Sequence, residues 1–150
     1  MDRLDGLSVQ QPWLDMILRG VKSMELRTFA VRARGMVALH APWKIDFAAA
    51  YFYGYAEPWR LPRHKVMAVA DIADVWELDE QSWISTLDQH RQPLPFLGGV
   101  YGARLENVRI LERPITCDGQ PGLFRLPARV TSKVLAQPPF SVVPSEIRSG

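Results

Sequence analysis

The stretch Leu7–Phe29, LSVQQPWLDMILRGVKSMELRTF, decides how the chain is read. It opens on a short apolar strand, Gly6–Gln10. QPWLDMILRG follows as a helix, with Pro12 at its first position, where a missing N–H costs nothing. Trp13, Met16 and Ile17 fall at i, i+3 and i+4 on one face, and Gly20 is placed to end the helix. The next segment, Gly20–Phe29, alternates as a strand: Met24 and Leu26 on one face, Glu25 and Arg27 on the other, Lys22 at its start. Spacing leaves two readings open. Glu25 and Arg27, ~7 Å apart along one face, are either an exposed ion pair worth under ~1 kcal/mol or, with Lys22, charges converging on a ligand.

Outward from this stretch, Arg32–Gly35 turn the chain into a third strand, MVALHA, which stops at Pro42. IDFAAAYFYGY is helical, with Asp46 as its N-cap. After the loop EPWRLPRH comes the clearest strand, KVMAVADIADVWEL, long enough to curl around a barrel. Asp79 caps a helix running to Leu87, RQPLPFLGG is a loop, and VYGARLENVRIL is a further strand. CDGQPG turns the chain into the last strand, LFRLP. The count is about six strands and three helices, with several strands succeeding one another without a helix between them. That order argues against a βαβ sheet. It predicts an α+β fold: a curled, mostly antiparallel sheet or small barrel with helices outside, with an open α+β sheet as the alternative. One domain spans residues 1–127, and 128–150 form a partly ordered extension with one or two helical turns and a loosely held end.

At 150 residues, with 47% apolar and 23% charged side chains, the chain has the composition of one globular domain. No apolar run approaches the ~20 residues of a membrane span, and MDRLDGLSV lacks an apolar stretch of signal-peptide type. One cysteine, Cys117, makes neither an internal disulfide nor a zinc site, and the expected location is cytoplasmic. The net charge of +2 divides into +4 over residues 1–65 and −2 over residues 66–150. A basic half suits an anionic partner such as nucleic acid, but weakly.

Familiar catalytic signatures are missing: there is no Walker-type glycine loop, no G-x-S-x-G and no H-E-x-x-H. Cys117 lies beside Asp118, whose charge would raise a thiol pKa, so it reads as incidental. His40, near the end of the third strand, is either a packed histidine or a ligand-facing group. His64 and His90 sit in loops beside arginines and read as solvated. No histidine pair has metal-ligand spacing. YFYGYAEPWRLPRHK places Tyr51, Tyr53, Tyr55 and Trp59 beside Arg60, Arg63, His64 and Lys65. Rings among cations either fill a core or stack single-stranded bases.

In their order along the chain these pieces resemble the ASCH domain (activating-signal-cointegrator homology), a branch of the PUA-like superfamily. The resemblance is carried by L-S-x-x-Q-P-W, a short helix, then G-x-K-x-x-E-x-R. It continues through GMVALHAPWK and VMAVADIADV to L-E-N-x-R, R-P-I and G-L-F-R-L, covering about residues 4–127. It implies a small PUA-like β-barrel with peripheral helices, and a cleft between the first helix and the barrel into which the motif's charges point. Lys22, Glu25 and Arg27 take the motif positions, with Gln11 and Trp13 nearby.

PUA-like relatives bind RNA or modified nucleobases, so the resemblance implies a binding module for RNA or another single-stranded nucleic acid. Arg27 and Lys22 would meet phosphates or base acceptors, and Glu25 would accept from an exocyclic amine or orient Arg27. Trp13 or Trp43 would stack a base; Lys44, Arg60, Arg63 and Lys65 would hold the backbone; His40 joins the ligand-facing set. Some relatives are enzymes, either ribonucleases or amidohydrolases acting on a modified nucleoside through a Lys/Thr/Glu triad. For an enzyme Lys22 and Glu25 are the candidate catalytic pair, with His40 as acid or base. Glu25 stands where the amidohydrolases have threonine, which favours binding over hydrolysis. No cofactor is expected, though a nuclease would take a divalent metal.

Overall fold

The computed structural model describes residues 3–138. The strands are β1 (Asp5–Ser8), β2 (Met24–Arg27), β3 (Gly35–Ala41), β4 (Lys65–Glu77), β5 (Tyr101–Thr116) and β6 (Leu123–Arg125). The helices are α1 (Trp13–Leu18), α2 (Phe47–Phe52), α3 (Glu80–Ser85), α4 (Leu87–His90) and α5 (Ala128–Leu135), with a 3-10 turn at Pro58–Arg60. The strands form one sheet in the order β2-β5-β4-β3-β1-β6. Neighbours are antiparallel except β1 and β3, which run parallel and are joined by a crossover through α1 and β2. The α+β architecture and the curled, mostly antiparallel sheet expected from the sequence are what the chain adopts, with the barrel left half closed between edge strands β2 and β6.

Curling has a visible cause. The β4–β5 ladder shifts register three times, between Val66 and Ala68, Val69 and Asp71, and Ile72 and Asp74, and each bulge adds twist and bends the ribbon. The first of these passes over residues 111–114 of β5, where Pro114 has no N–H to give to a ladder. The sequence strand therefore looked finished at Leu111, whereas pairing resumes at Ile115 and Thr116.

Side-chain alternation divides the core. Val37 and Leu39 of β3 face inward with Leu7, Leu14, Ile17, Ala70, Ile72, Ala103 and Leu105. Ala38 faces outward, and α5 covers that side with Val130 and Val134, both fully buried beside Leu4, Val69, Leu111 and Phe124. Each buried valine contributes about 1.5 kcal/mol or more. A third cluster, Met24, Leu78 and Trp83, seats β2 on α3.

Caps fall where the sequence puts them. The Asp46 carboxylate accepts from the Ala49 N–H. Asp79 and Ser82 form a reciprocal capping box on α3. Pro12 is the N-cap of α1 rather than its first turn, since its carbonyl accepts from the Met16 N–H. His90, expected in solvent, is fully buried. Its ring nitrogens meet the Trp83 carbonyl at 3.0 Å and the Gln92 N–H at 2.9 Å. That pair of partners requires the neutral imidazole, and burial, the main cause, pushes its pKa down. The loose end expected beyond residue 138 lies outside the described residues.

Candidate functional site

β2 carries the charged motif along an edge strand paired only to β5, with Glu25 opposite Ala103 and Arg27 opposite Tyr101. Its other edge faces the open side of the sheet, and Arg27 reaches across that opening to donate from Nη2 to the Ser8 carbonyl at the end of β1. The same guanidinium meets Glu25 Oε2 at 3.2 Å, and Glu25 Oε1 lies 3.6 Å from Lys22 Nζ. Lys22 and Glu25 are nearly inaccessible, at 4% and 7%. The Lys22 ammonium donates to the His90 carbonyl at 2.8 Å and sits 4.8 Å from the centre of the Trp13 ring. Burial, only partly offset by Glu25, lowers the Lys22 pKa. The three charges thus form a layered row in which only Arg27 meets the opening.

Beside Arg27 the ends of the strands leave a cleft of about 430 Å³, a size usual for a small-ligand site. Ser8 and Gln10 line it from the end of β1, His40, Pro42, Trp43 and Lys44 from the end of β3, His64 from the start of β4, and Asp118–Gly122 from the β5–β6 loop. Trp43 is 62% exposed and stacks on His64 at 4.8 Å, with the Arg63 guanidinium 5.7 Å from its ring. His64, in the left-handed region at φ 62°, pairs with Asp118 at 3.2 Å. His40 is 1% exposed, and its Nε2 donates to the Cys117 carbonyl at 2.6 Å. Burial above all pushes the His40 pKa down, with His64 adding to the effect.

Three buried side-chain polar atoms among the described residues have no partner: Arg27 Nε, His40 Nδ1 and Thr131 Oγ1. Two of them belong to residues of this cleft. Unmatched buried polar groups are rare and call for an explanation. Both atoms lie beneath the cleft surface, His40 Nδ1 against Gly119.

The remaining expected site residues lie elsewhere. Gln11 caps and ties: its Oε1 accepts from the Asp15 N–H at 2.9 Å and its Nε2 donates to the Pro62 carbonyl at 2.9 Å. Trp13 donates to Asp46 at 3.1 Å and packs edge-on against Tyr53. Arg60 pairs with Glu57 on the surface at 3.1 Å. Lys65 opens β4 opposite Thr116, and Arg63 spans the Trp43 and Trp59 carbonyls at 3.3 Å each. Gln10, His64, Asp118 and Gln120 are cleft residues that the sequence reading passed over. The turn CDGQPG was its one signal, since a Gly/Pro turn beside strand ends is where sites are built. Among the described residues no group of three or more His, Cys, Asp or Glu is placed to hold a metal ion, and no helix is long and apolar enough to cross a membrane.

Comparison with known proteins identifies the fold and the family. No curated protein matches the chain by sequence. Among solved structures, the ASCH protein of Zymomonas mobilis superposes with a TM-score of 0.59 at 16% identity, covering 91% of this chain and 96% of that one. A serine-to-alanine variant of the same protein gives 0.55 at 15% identity, with 91% and 97% covered. A tyrosine-to-phenylalanine variant gives 0.57 at 16% identity, with 88% and 96% covered. These likenesses establish the fold. The sequence profile of the ASCH domain matches residues 7–118, a span that runs from β1 to the first residue of the cleft loop: the chain belongs to the ASCH domain family and has its PUA-like fold.

Proposed function

We propose that the protein binds RNA, holding a nucleotide or a short single-stranded segment in the cleft between Arg27 and Trp43. The observation that supports this reading is a cleft edged by Arg27 and lined by the exposed Trp43 ring, Lys44 and His64, with the Arg63 guanidinium beside that ring. A nucleotide offers complementary groups: phosphate or carbonyl oxygens for the Arg27 guanidinium, and an exocyclic amine or a 2′-hydroxyl for the polar side chains of Gln10, His64 and Asp118. Trp43 supplies an exposed ring for a base, while Lys44 and Arg63 meet the backbone phosphates. Lys65 and Arg60 stand farther out as weaker backbone contacts. Lys22 and Glu25 act behind the wall. Glu25 fixes the Arg27 fork, and Lys22 balances the second carboxylate oxygen. The Lys22 side chain is 3% exposed and engaged by Glu25 and the His90 carbonyl, which suits a supporting role. A cytoplasmic location suits a protein whose single cysteine is free and buried.

The test is fluorescence anisotropy of labelled single-stranded RNA, with DNA of the same sequence in parallel, over a range of salt. Affinity should fall linearly with log salt, and Lys44→Ala should reduce the slope by roughly 0.7. Arg27→Ala should lose affinity at every salt concentration. Salt-independent binding, or an Arg27→Ala protein that binds as tightly as wild type, overturns the reading.

A further inference from the structure

Arg27 walls off more than one cavity. On its far side lies a groove of about 300 Å³ lined by Leu26, Thr28, Phe29, Trp83, Gln92 and Val100. A third hollow, about 390 Å³, is bounded by Phe29, Ala30, Arg32, Pro121, Gly122 and Leu123. The cleft and the first groove share Arg27, the cleft and the third hollow share Pro121 and Gly122, and the two outer spaces share Phe29. They are three adjoining bays, with these residues as their common walls.

Phe29 stands where the bays meet. The residue is 42% exposed, two positions beyond the end of β2, whose Met24 is fully buried. It rests over Gly122, where a Cβ would come within 3.0 Å of Phe29 Cζ. Gly122 has φ +75°, so this position excludes other residues both by conformation and by the space the ring takes. The loop that walls the cleft therefore also supports the ring. Arg32, exposed at the same hollow, has no hydrogen-bond or ion-pair partner among the described residues. A supported, solvent-facing ring and an unpaired guanidinium lining one hollow repeat the residue types that Trp43 and Arg63 offer beside the cleft.

We propose that Phe29 and Arg32 form a second nucleotide subsite, in which the base next to the one held in the cleft stacks on Phe29 and its phosphate meets Arg32. The inference rests on the RNA-binding reading above and extends it: the ligand is a single strand of two or more nucleotides, not a mononucleotide. A lone nucleotide satisfies Arg27 and Trp43 but leaves the Phe29 face in water. Length-dependent affinity follows, because a stacked base contributes by its π-face regardless of sequence.

The test is calorimetric titration with homo-oligonucleotides of each base, one, two and four residues long, against wild type, Phe29→Leu, Arg32→Ala and Arg27→Ala. The quantity read is the ratio of four-residue to one-residue affinity. In wild type it should be about tenfold or more, the worth of a single stacked base. Phe29→Leu, which keeps an apolar side chain over Gly122 but has no ring, should reduce the ratio at least fivefold. Arg32→Ala should lower the ratio and its salt dependence together. Arg27→Ala should weaken ligands of every length. A wild-type ratio near one, or a ratio unchanged in both Phe29→Leu and Arg32→Ala, removes the second subsite while leaving the cleft reading intact. Failure of wild type to bind any of these ligands overturns both.

Discussion

Replacing Glu25 by glutamine tests whether the buried charge row is held together by one carboxylate. Glu25 lies between two cations, 3.6 Å from Lys22 and 3.2 Å from Arg27, and its side chain is 9% exposed. Removing the charge leaves both cations facing a neutral amide, and an uncompensated buried charge typically costs about 3–5 kcal/mol. For a chain of this length each kcal/mol lowers Tm by roughly 2–4 °C, so Glu25→Gln should melt about 10 °C below wild type. Lys22→Met should cost less, about 1–3 kcal/mol, because Glu25 keeps Arg27, although the His90 carbonyl loses its donor and Glu25 Oε1 its ammonium neighbour. The double variant should be no worse than Glu25→Gln alone, since the remaining cation, Arg27, is 17% exposed and can turn towards water. Urea and thermal unfolding followed by tryptophan fluorescence give all three numbers. A Glu25→Gln protein within about 1 kcal/mol of wild type, or strictly additive variants, would refute the reasoning.

Other outcomes follow from the same geometry. His90 and His40 are buried with pKa values pushed below 6.5, so below that pH the unfolded chain binds more protons than the native one. Stability should therefore be undiminished by these groups above about pH 6.5 and fall on acidification, by up to about 1.4 kcal/mol per unit per histidine; denaturant midpoints between pH 5 and 7.5 should flatten in His90→Asn, and an unchanged slope contradicts this. Gly119→Ala puts a Cβ into the His40 ring. Because that ring cannot move, overpacking should cost about 1–3 kcal/mol, read as a lower Tm, and an unshifted Tm would show that the loop yields. Cys117 is 2% exposed with its thiol pKa raised chiefly by burial. It should react with an aromatic disulfide reagent only as fast as the protein unfolds, and rapid labelling in buffer would contradict its placement.

Local signals were legible wherever one short segment settles the outcome. Asp46 and Asp79 cap because an acceptor before an apolar-periodic run has only one geometry available to it. The alternation in KVMAVADIADVWEL becomes β4 because both faces are covered. The motif's residue types were legible too, but not its depth. A strand pattern assigns Glu25 and Arg27 one common face and leaves Lys22 at the strand's entry, whereas α1 brings Trp13 and α4 brings the His90 carbonyl over Lys22, burying one end of the row and leaving the other open. Cleft residues from loops were the least legible. His64, Asp118 and Gln120 meet only after β3, β4 and β5 align their ends, and a loop histidine beside an arginine carries no mark of that meeting. Phe29 escaped notice for the same reason, its support being Gly122 at the far end of the chain.

The position of β2 at the edge of the sheet also sets an order of events. Met24 pairs with Arg104 and Arg27 with Tyr101, so the charged strand written early in the chain has no partner strand until synthesis has passed residue 104. β3 and β4, by contrast, follow each other closely and can pair as they emerge. The parallel ladder of β1 on β3 is available early, but its outer neighbour β6 is among the last segments made. Contacts this distant along the chain are slow to close. The ligand-facing side of the domain is therefore the last part of the sheet to be completed, and a nascent chain cut before Tyr101 carries the whole G-x-K-x-x-E-x-R motif with no partner strand to hold it.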